Sequence, residues 1–444
     1  LKNALGLREE PSAGPQRLSE RRADLLRARV REQESKSRKE EPGLKAGHET
    51  ALSTREMTGR LDDLIVIGGG PAGLATSIFA ARAGMRVSVL ERFELPRDKP
   101  CGEGIMPRGV RLLDEMGVQL ERSSARAFDG ILYVDQSSGA RAVGRFAFAS
   151  GLGLGVRRTA LSRALVDRAK ALGVEIRERT RAHAFLQDPG SVRVESSGGS
   201  LRCRYLVGAD GLHSTVRASV GVRGSGRIRR RRYGCRRHYR VRPWSDLVEV
   251  YWERGSEAYV TPISDDEVGV AILFPDEGDG SSTRFEEKLK RFPTLDEKLQ
   301  GAPSSSEAAG AGPFRQTVRC VASNRIALVG DAAGYLDALT GEGVAMGFAS
   351  AKALVDAIVR GRGLRNYVRA YRRLSRRYYA VTKLALGLAA QPEMRVLAIR
   401  LLASQPKLFT RILSFMEGGR VAEGRGADKQ GAERVHSPCA TGGS

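Results

Sequence analysis

The chain has 444 residues, enough for two or three domains with a sizeable core, and 41% hydrophobic against 28% charged residues exclude a disordered or fibrous chain. No apolar run approaches the ~20 residues needed to cross a bilayer, and the charged N-terminus carries no secretory signal. The net charge of +23 and pI of about 10.3 invite a nucleic-acid reading. The excess is local, however: ten arginines and no acid lie between Arg223 and Arg242, and eight arginines and no acid between Arg360 and Arg377. With only 6% aromatics and no stacking platform, these runs read as solvated surface, and no specific nucleic-acid partner is expected. Arg229 to Arg232 keep a rival role, gripping an anionic group. The five cysteines are scattered, odd in number and form no CxxC pair, and the five histidines show no ligand spacing. No disulfide framework and no metal site are expected, and the compartment reads as reducing and cytoplasmic.

Residues 1–56 carry 13 Lys/Arg and 10 Asp/Glu with few aromatics, and read as a disordered extension with at most a transient polar helix over Leu18 to Arg38. Met57 reads as the natural start. Organised sequence begins at Leu61. The apolar run Leu64 to Ile67 predicts a buried parallel strand, Ala72 to Ala83 a helix closed by Gly84, and Arg86 to Leu90 a second strand. Thr159 to Ala171 followed by Val174 to Ile176, and later Ile326 to Val329, look like further pieces of the same layer. Between them the texture changes. Val248, Val250 and Trp252 alternate, as do Val268, Val270, Ile272 and Phe274, which predicts antiparallel strands with one buried face inside Tyr233 to Phe274. Gly301 to Gly312 reads as a loop. Tyr367 to Met416 has a helical pattern broken near Pro392 and Pro406, and residues 417–444 read as a disordered tail. Leu384, Leu386, Leu388, Leu397, Ile399, Leu401 and Leu402 give these C-terminal helices apolar faces. They are read as core or lid packing rather than membrane docking, with peripheral membrane contact left open.

The strongest chemical signal is Gly68-Gly69-Gly70-Pro71-Ala72-Gly73, which fits GxGxxG at Gly68, Gly70 and Gly73. The first glycine allows a tight turn, the second lets backbone approach a diphosphate, and the third lets helix and strand pack closely. The helix N-terminus then offers free N–H groups to the phosphates. Glu91 ends the second strand, where an acid accepts ribose hydroxyls. Two later segments extend the pattern: Gly208-Ala209-Asp210-Gly211 through Arg217, and Gly330-Asp331-Ala332-Ala333-Gly334 through Thr340-Gly341-Glu342-Gly343.

In this order the three segments resemble the p-hydroxybenzoate hydroxylase-like FAD superfamily, over roughly residues 61–360. The resemblance implies an α/β fold, with a Rossmann-like FAD-binding domain (57–232 and 316–360), an inserted antiparallel substrate domain (233–315) and C-terminal helices (361–416). It implies that the first motif holds the FAD diphosphate. Asp210 and Gly211 then lie near it and serve NAD(P)H use, and Asp331 binds the sugar-like chain, flanked by Gly330, Ala332 and the glycines Gly341 and Gly343. Arg158 matches a family arginine near the ribityl chain, with a plain surface arginine as its rival; Arg92, beside Glu91, joins the cofactor candidates. Lys99-Pro100-Cys101-Gly102-Glu103-Gly104 and Leu339-Thr340-Gly341-Glu342-Gly343 are similar to the geranylgeranyl reductase-like branch, placing Lys99, Gly102 and Gly104 beside the flavin. The stretch Glu257 to Pro262, containing Tyr259, stands where that branch carries Tyr-x-Trp-x-Phe-Pro, and it lacks the tryptophan.

Four catalytic candidates follow. Cys101 is a positioning or redox group near the flavin, or a small buried residue at a turn. Glu103 is a proton donor or a local cap. Tyr259 is a second proton donor. His238 is an acid/base group if it faces the flavin, and otherwise a hydrogen-bonded residue of the sheet. The expected activity is reduction of FAD by NAD(P)H, then of a carbon–carbon double bond in a small apolar organic substrate. The alternative is hydroxylation by an FAD-dependent monooxygenase. The oligomeric state is not legible.

Overall fold

The computed structural model describes residues 61–221, 231–276 and 284–417. The expected N-terminal extension with its Leu18–Arg38 helix, the start at Met57, Arg229 and Arg230, and residues 418–444 lie outside the described residues. Strand β1 (Leu61–Ile67) leads through a glycine turn into α1 (Pro71–Arg82), and β2 (Val87–Leu90) returns parallel to β1. The expected helix and second strand are present with ends displaced by about one residue, as fraying ends normally are, while β1 starts three residues before the apolar run. Residues Leu64 to Val66 are wholly buried because helices cover this sheet.

The next stretch was not marked by periodicity. It forms β3 (Gly104–Ile105), α2 (Pro107–Met116), β4 (Ala125–Phe128), β5 (Gly130–Asp135), β6 (Arg141–Arg145) and β7 (Gly153–Val156). Then come α3 (Arg158–Ala171), β8 (Glu175–Arg177), β9 (Ala182–Gln187), β10 (Val192–Ser196), β11 (Gly199–Gly208) and the short α4 (Thr215–Ser219). The region expected to form a second sheet supplies β12 (Arg232–Arg240), β13 (Leu247–Glu253), β14 (Ser256–Pro262) and β15 (Glu267–Pro275). After α5 (Phe285–Leu289) and α6 (Pro293–Lys298), short strands β16 (Ala309–Ala311), β17 (Ala322–Ser323) and β18 (Ile326–Leu328) precede α7 (Gly343–Val359), α8 (Gly363–Ala389), α9 (Pro392–Ser404) and α10 (Pro406–Met416). Pro392 and Pro406 each open a helix at its first position, where a missing N–H costs nothing.

Two main sheets result. The first has the order β17-β18-β11-β1-β2-β8, with β10 and then β9 added beside β11. Its centre, from β18 to β8, is parallel. The second has the order β16-β12-β15-β14-β13-β5-β6 and is antiparallel except between β13 and β5. Three differences from the sequence reading follow. The substrate sheet is not confined to 233–315, because β5 and β6 arrive from the earlier part of the chain and pair onto β13. The expected loop Gly301 to Gly312 ends in β16, which pairs with β12. The alternation in β13 and β15 does not mark one buried and one wet face. Phe285, Leu289, Phe292 and Leu295, from α5 and the start of α6, cover one side, packing on Tyr251, Val270 and Ile272, while Val250 and Trp252 of β13 and Ala271 and Leu273 of β15 are buried on the other. Glu417, expected in the tail, belongs to the fold: it is buried, and its carboxylate accepts the Arg108 N–H.

Candidate active site

The three motifs converge at one edge of the first sheet. Gly68 sits at φ +107°, and a Cβ there would come within 2.6 Å of the Ala209 carbonyl oxygen. At Gly73 a Cβ would fall 1.9 Å from the Gly68 oxygen, which no side chain tolerates. Gly70 differs: its nearest neighbour would be the Arg158 guanidinium at 3.9 Å, so the space in front of it is open. Helix α1 begins there with Gly70 as its uncapped first residue and Pro71 next. Its free N–H groups face a cavity lined by Gly70, Pro71, Ala72, Lys99 and Arg158. Helix dipole and cations together favour an anion at this point.

The third motif reaches the same place. Gly330 packs so closely on α1 that a Cβ would lie 2.6 Å from the Ala72 Cβ, and Gly330, Asp331, Gly341 and Gly343 line the cavity beside it. Burial raises the Asp331 carboxyl above the usual carboxylate range, while the charges of Arg158, Lys99 and Arg217 oppose that shift. The second motif is tied in by a residue to which sequence reasoning gave no role. Arg217 is buried, and its guanidinium donates to the backbone oxygens of Asp331 (3.3 Å), Ala332 (3.0 Å) and Leu212. Its position within the Asp210–Arg217 segment was the only sequence signal.

Other expected cofactor residues stand around the cavity rather than on its wall. Glu91 Oε2 accepts the Gly69 N–H at 2.7 Å and Oε1 that of Phe93 at 3.1 Å, so this acid shapes the glycine loop. Arg92 is exposed, its guanidinium 4.8 Å from the Phe93 ring. Asp210 caps α4 through Thr215 and Val216, leaving Oδ1 buried without a hydrogen-bond partner, while its neighbour Gly211 lines the cavity. Ala332 is buried behind Asp331.

The far end of the cavity belongs to the second sheet. Val248, Val250, Tyr259, Thr261, Ala271 and Leu273 project from β13, β14 and β15 onto it, joined by Phe128, Ile131, Phe314 and Leu339. A segment running from Lys99 to Gly104 forms the wall between the two halves. Polar groups of the second sheet hold it: Thr261 donates to the Gly102 oxygen at 2.7 Å, and Arg236 reaches Asp98 Oδ1 at 2.5 Å.

Glu103 belongs to this wall, and His238 lies behind it. Glu103 sits at φ +59°, a strained angle for a side-chain-bearing residue, with Oε1 accepting the Arg158 N–H at 2.8 Å and Oε2 2.5 Å from His238 Nε2. His238 Nδ1 lies 2.9 Å from Arg236 Nη1, and a guanidinium only donates, so Nδ1 accepts and Nε2–H donates to Glu103. Both carboxylate oxygens are therefore engaged, and His238 is not on the cavity wall. The geometry favours a cap for Glu103 and a sheet-bound histidine, not a proton donor and an acid/base group.

Cys101 and Tyr259 do line the cavity. Burial pushes the Cys101 thiol up, against the opposing charge of Arg158, so it carries its proton at neutral pH. Burial also raises Tyr259 well above an ordinary phenol, and its hydroxyl donates to the Leu339 oxygen at 2.8 Å. Arg232, last of the arginine run, is not solvated. It pairs with buried Glu257 and Asp337, and burial raises Glu257 to about 7.

An anion cradle built on glycine backbone, an acid placed for sugar hydroxyls and a long apolar extension suit a dinucleotide with a flat ring. The orphaned Asp210 Oδ1 is an unused acceptor beside the cavity, and the open face of Gly70 leaves space for it. Such a site defines an FAD-dependent oxidoreductase. The chain belongs to the FAD binding domain family, whose model matches residues 62–377. It is 28% identical over 328 residues to a menaquinone reductase of Mycobacterium tuberculosis, covering 67% of this chain and 76% of that protein. It is 29% identical over 302 residues to digeranylgeranylglycerophospholipid reductase 1 of Methanopyrus kandleri, covering 64% and 76%. Monooxygenases also stand among its relatives. Among solved structures, a flavoprotein/dehydrogenase from Cytophaga hutchinsonii shares the fold, with a TM-score of 0.69 at 17% identity, over 81% of this chain and 93% of that one.

Proposed function

We propose that this enzyme takes hydride from NAD(P)H onto FAD and delivers it to a carbon–carbon double bond of an apolar organic substrate. One observation carries the reading: the diphosphate cradle opens directly into a cavity whose far wall is aliphatic and aromatic, with the Cys101 thiol and the Tyr259 phenol raised by burial. FAD supplies the hydride chemistry when bound. In this reading α1, Arg158 and Lys99 hold the diphosphate and Asp331 accepts a sugar-chain hydroxyl. The Lys99–Gly104 wall orients the ring, and the second sheet excludes water from the substrate. Tyr259, protonated and on the cavity wall, is the proton source for the second carbon. The two relatives named as reductases support the substrate class.

The test is an anaerobic one. FAD-loaded protein is mixed with NADH or NADPH and flavin bleaching is followed; an isoprenoid quinone or polyprenyl lipid is then added. Reoxidation of the flavin without oxygen, coupled to loss of the double bond, is expected. Tyr259→Phe should slow that second step and leave the first unchanged. Product formation only in air would establish the monooxygenase alternative, and a flavin that neither nicotinamide bleaches would remove the donor from the scheme.

A further inference from the structure

The sequence reading placed the C-terminal apolar residues in core or lid packing. The structure divides them. On α10, Phe409 and Leu413 are buried, while Leu408, Ile412 and Phe415, flanking that stripe, are 38%, 37% and 46% exposed. On α9, Ile399 is buried, while Leu397 and Leu401 are 61% and 52% exposed. Both helices pack on β6, and Phe409 sits so near Gly144 that a Cβ there would meet the ring at 2.6 Å. Their inward stripes share one sheet, and each helix carries further apolar residues off that stripe, exposed at Leu397 and Leu401 on α9 and at Leu408, Ile412 and Phe415 on α10, with the Arg377 guanidinium 5.4 Å from the Phe415 ring.

We propose that α9 and α10 dock the protein on an anionic phospholipid bilayer, lying in its interface with Leu401, Ile412 and Phe415 in the acyl boundary.

Charge selects this occupant. Residues 361–417 hold twelve Lys/Arg and two acids, Glu393 and the buried Glu417. Arg400, Lys407 and Arg411 are exposed on α9 and α10 themselves, and Lys383 on the preceding α8. Apolar residues flanked by cations are the pattern of an interfacial helix, and each Lys or Arg near an anionic surface adds attraction. A second copy would bring like charges together. The segment 418–444 has Val421 and Val435 as its only aliphatic residues larger than alanine, too little to cover the face. No described helix is long and apolar enough to cross a membrane, so the helices lie on it rather than span it.

The cavity gives the docking a purpose. Helix α10 ends at Met416, which lines the cavity, and Phe409 packs 5.0 Å from the ring of Tyr133 on the cavity wall. The lipid-facing helix is therefore also a wall of the apolar chamber, which shortens the path of a lipid-dissolved substrate. The docking itself does not depend on the chemistry proposed above.

The experiment is flotation of the full-length FAD-loaded protein with vesicles of phosphatidylcholine alone or with phosphatidylglycerol. Binding to the mixed vesicles is expected, with little to pure phosphatidylcholine, and with loss at high salt. Leu401→Asp with Ile412→Asp should weaken binding at least ~tenfold, and so should Lys407→Glu with Arg411→Glu. These residues are exposed, so bound flavin and melting temperature should stay unchanged. No flotation with anionic vesicles, undiminished binding by both variants, or a stable dimer in solution that the Asp variant splits would each overturn the proposal.

Discussion

Glu342 allows the sharpest test of how burial shapes this site. It precedes α7, between cavity-wall residues Gly341 and Gly343, and is 7% exposed with Oε1 lacking any hydrogen-bond partner. Burial and the nearby Glu417 carboxylate raise it from 4.5 to about 8, with Arg108 opposing. A helix N-terminus favours the anion by ~1 kcal/mol at most in such positions, too little to reverse the desolvation. The folded-state pKa lies above the unfolded one, so the folded protein holds a proton that the unfolded chain has released. Stability from this group is thus lost as pH rises from about 4.5 to about 8, and levels off above that. At ~1.4 kcal/mol per pH unit the loss reaches at most ~5 kcal/mol. Glu342→Gln removes the ionisation. Urea unfolding at about pH 5 should show the variant within ~1 kcal/mol of the parent, and at about pH 9 it should be several kcal/mol more stable. A stability difference that stays constant from acid to alkaline pH would refute the reasoning.

Other consequences are as direct. Gly73→Ala forces a Cβ against the Gly68 oxygen, so FAD affinity by flavin-fluorescence titration should fall at least ~tenfold (~1.4 kcal/mol). Arg217→Met unties the second motif from the Asp331 turn and takes the guanidinium from the buried Ala332 carbonyl, while the Asp331 oxygen keeps the Gly334 N–H. It should cost ~1–3 kcal/mol in chemical unfolding and weaken FAD as well. Glu103→Gln weakens the ties of the Lys99–Gly104 wall to Arg158 and His238, so it should alter the visible flavin spectrum while NAD(P)H still bleaches it. Phe409→Ala opens a hole beneath β6 and should destabilise the fold by ~3–5 kcal/mol.

Some of this was local and therefore legible. Glycines that must take φ near +107°, or whose Cβ would fall 1.9 Å from another residue's oxygen, are demanded by a single turn, and the turn announces itself in GxGxxG. The parallel strand Leu64 to Ile67 shows in its unbroken apolar run, and the ends of α8, α9 and α10 in their prolines. The pairing of Asp331 with the glycine loop was foreseen only through resemblance, since 260 positions separate them.

What escaped the sequence depends on partners far along the chain. Strands β5 and β6 are short and carry Gly130, Gly144, Arg141 and Arg145, so no periodicity marks them; pairing onto β13 makes them strands. Glu103 and His238 looked like catalytic groups because acid and imidazole are what catalysis uses. Only the fold brought them within 2.5 Å of each other, engaged both oxygens of Glu103 at the cavity wall and left His238 off that wall. The leucines of α9 and α10 likewise read as core, because a pattern of period 3.6 reports an apolar face but not what lies against it. Residue identity determines backbone freedom and the presence of apolar faces; which face meets protein, cofactor or solvent is decided by contacts that exist only once the chain has folded.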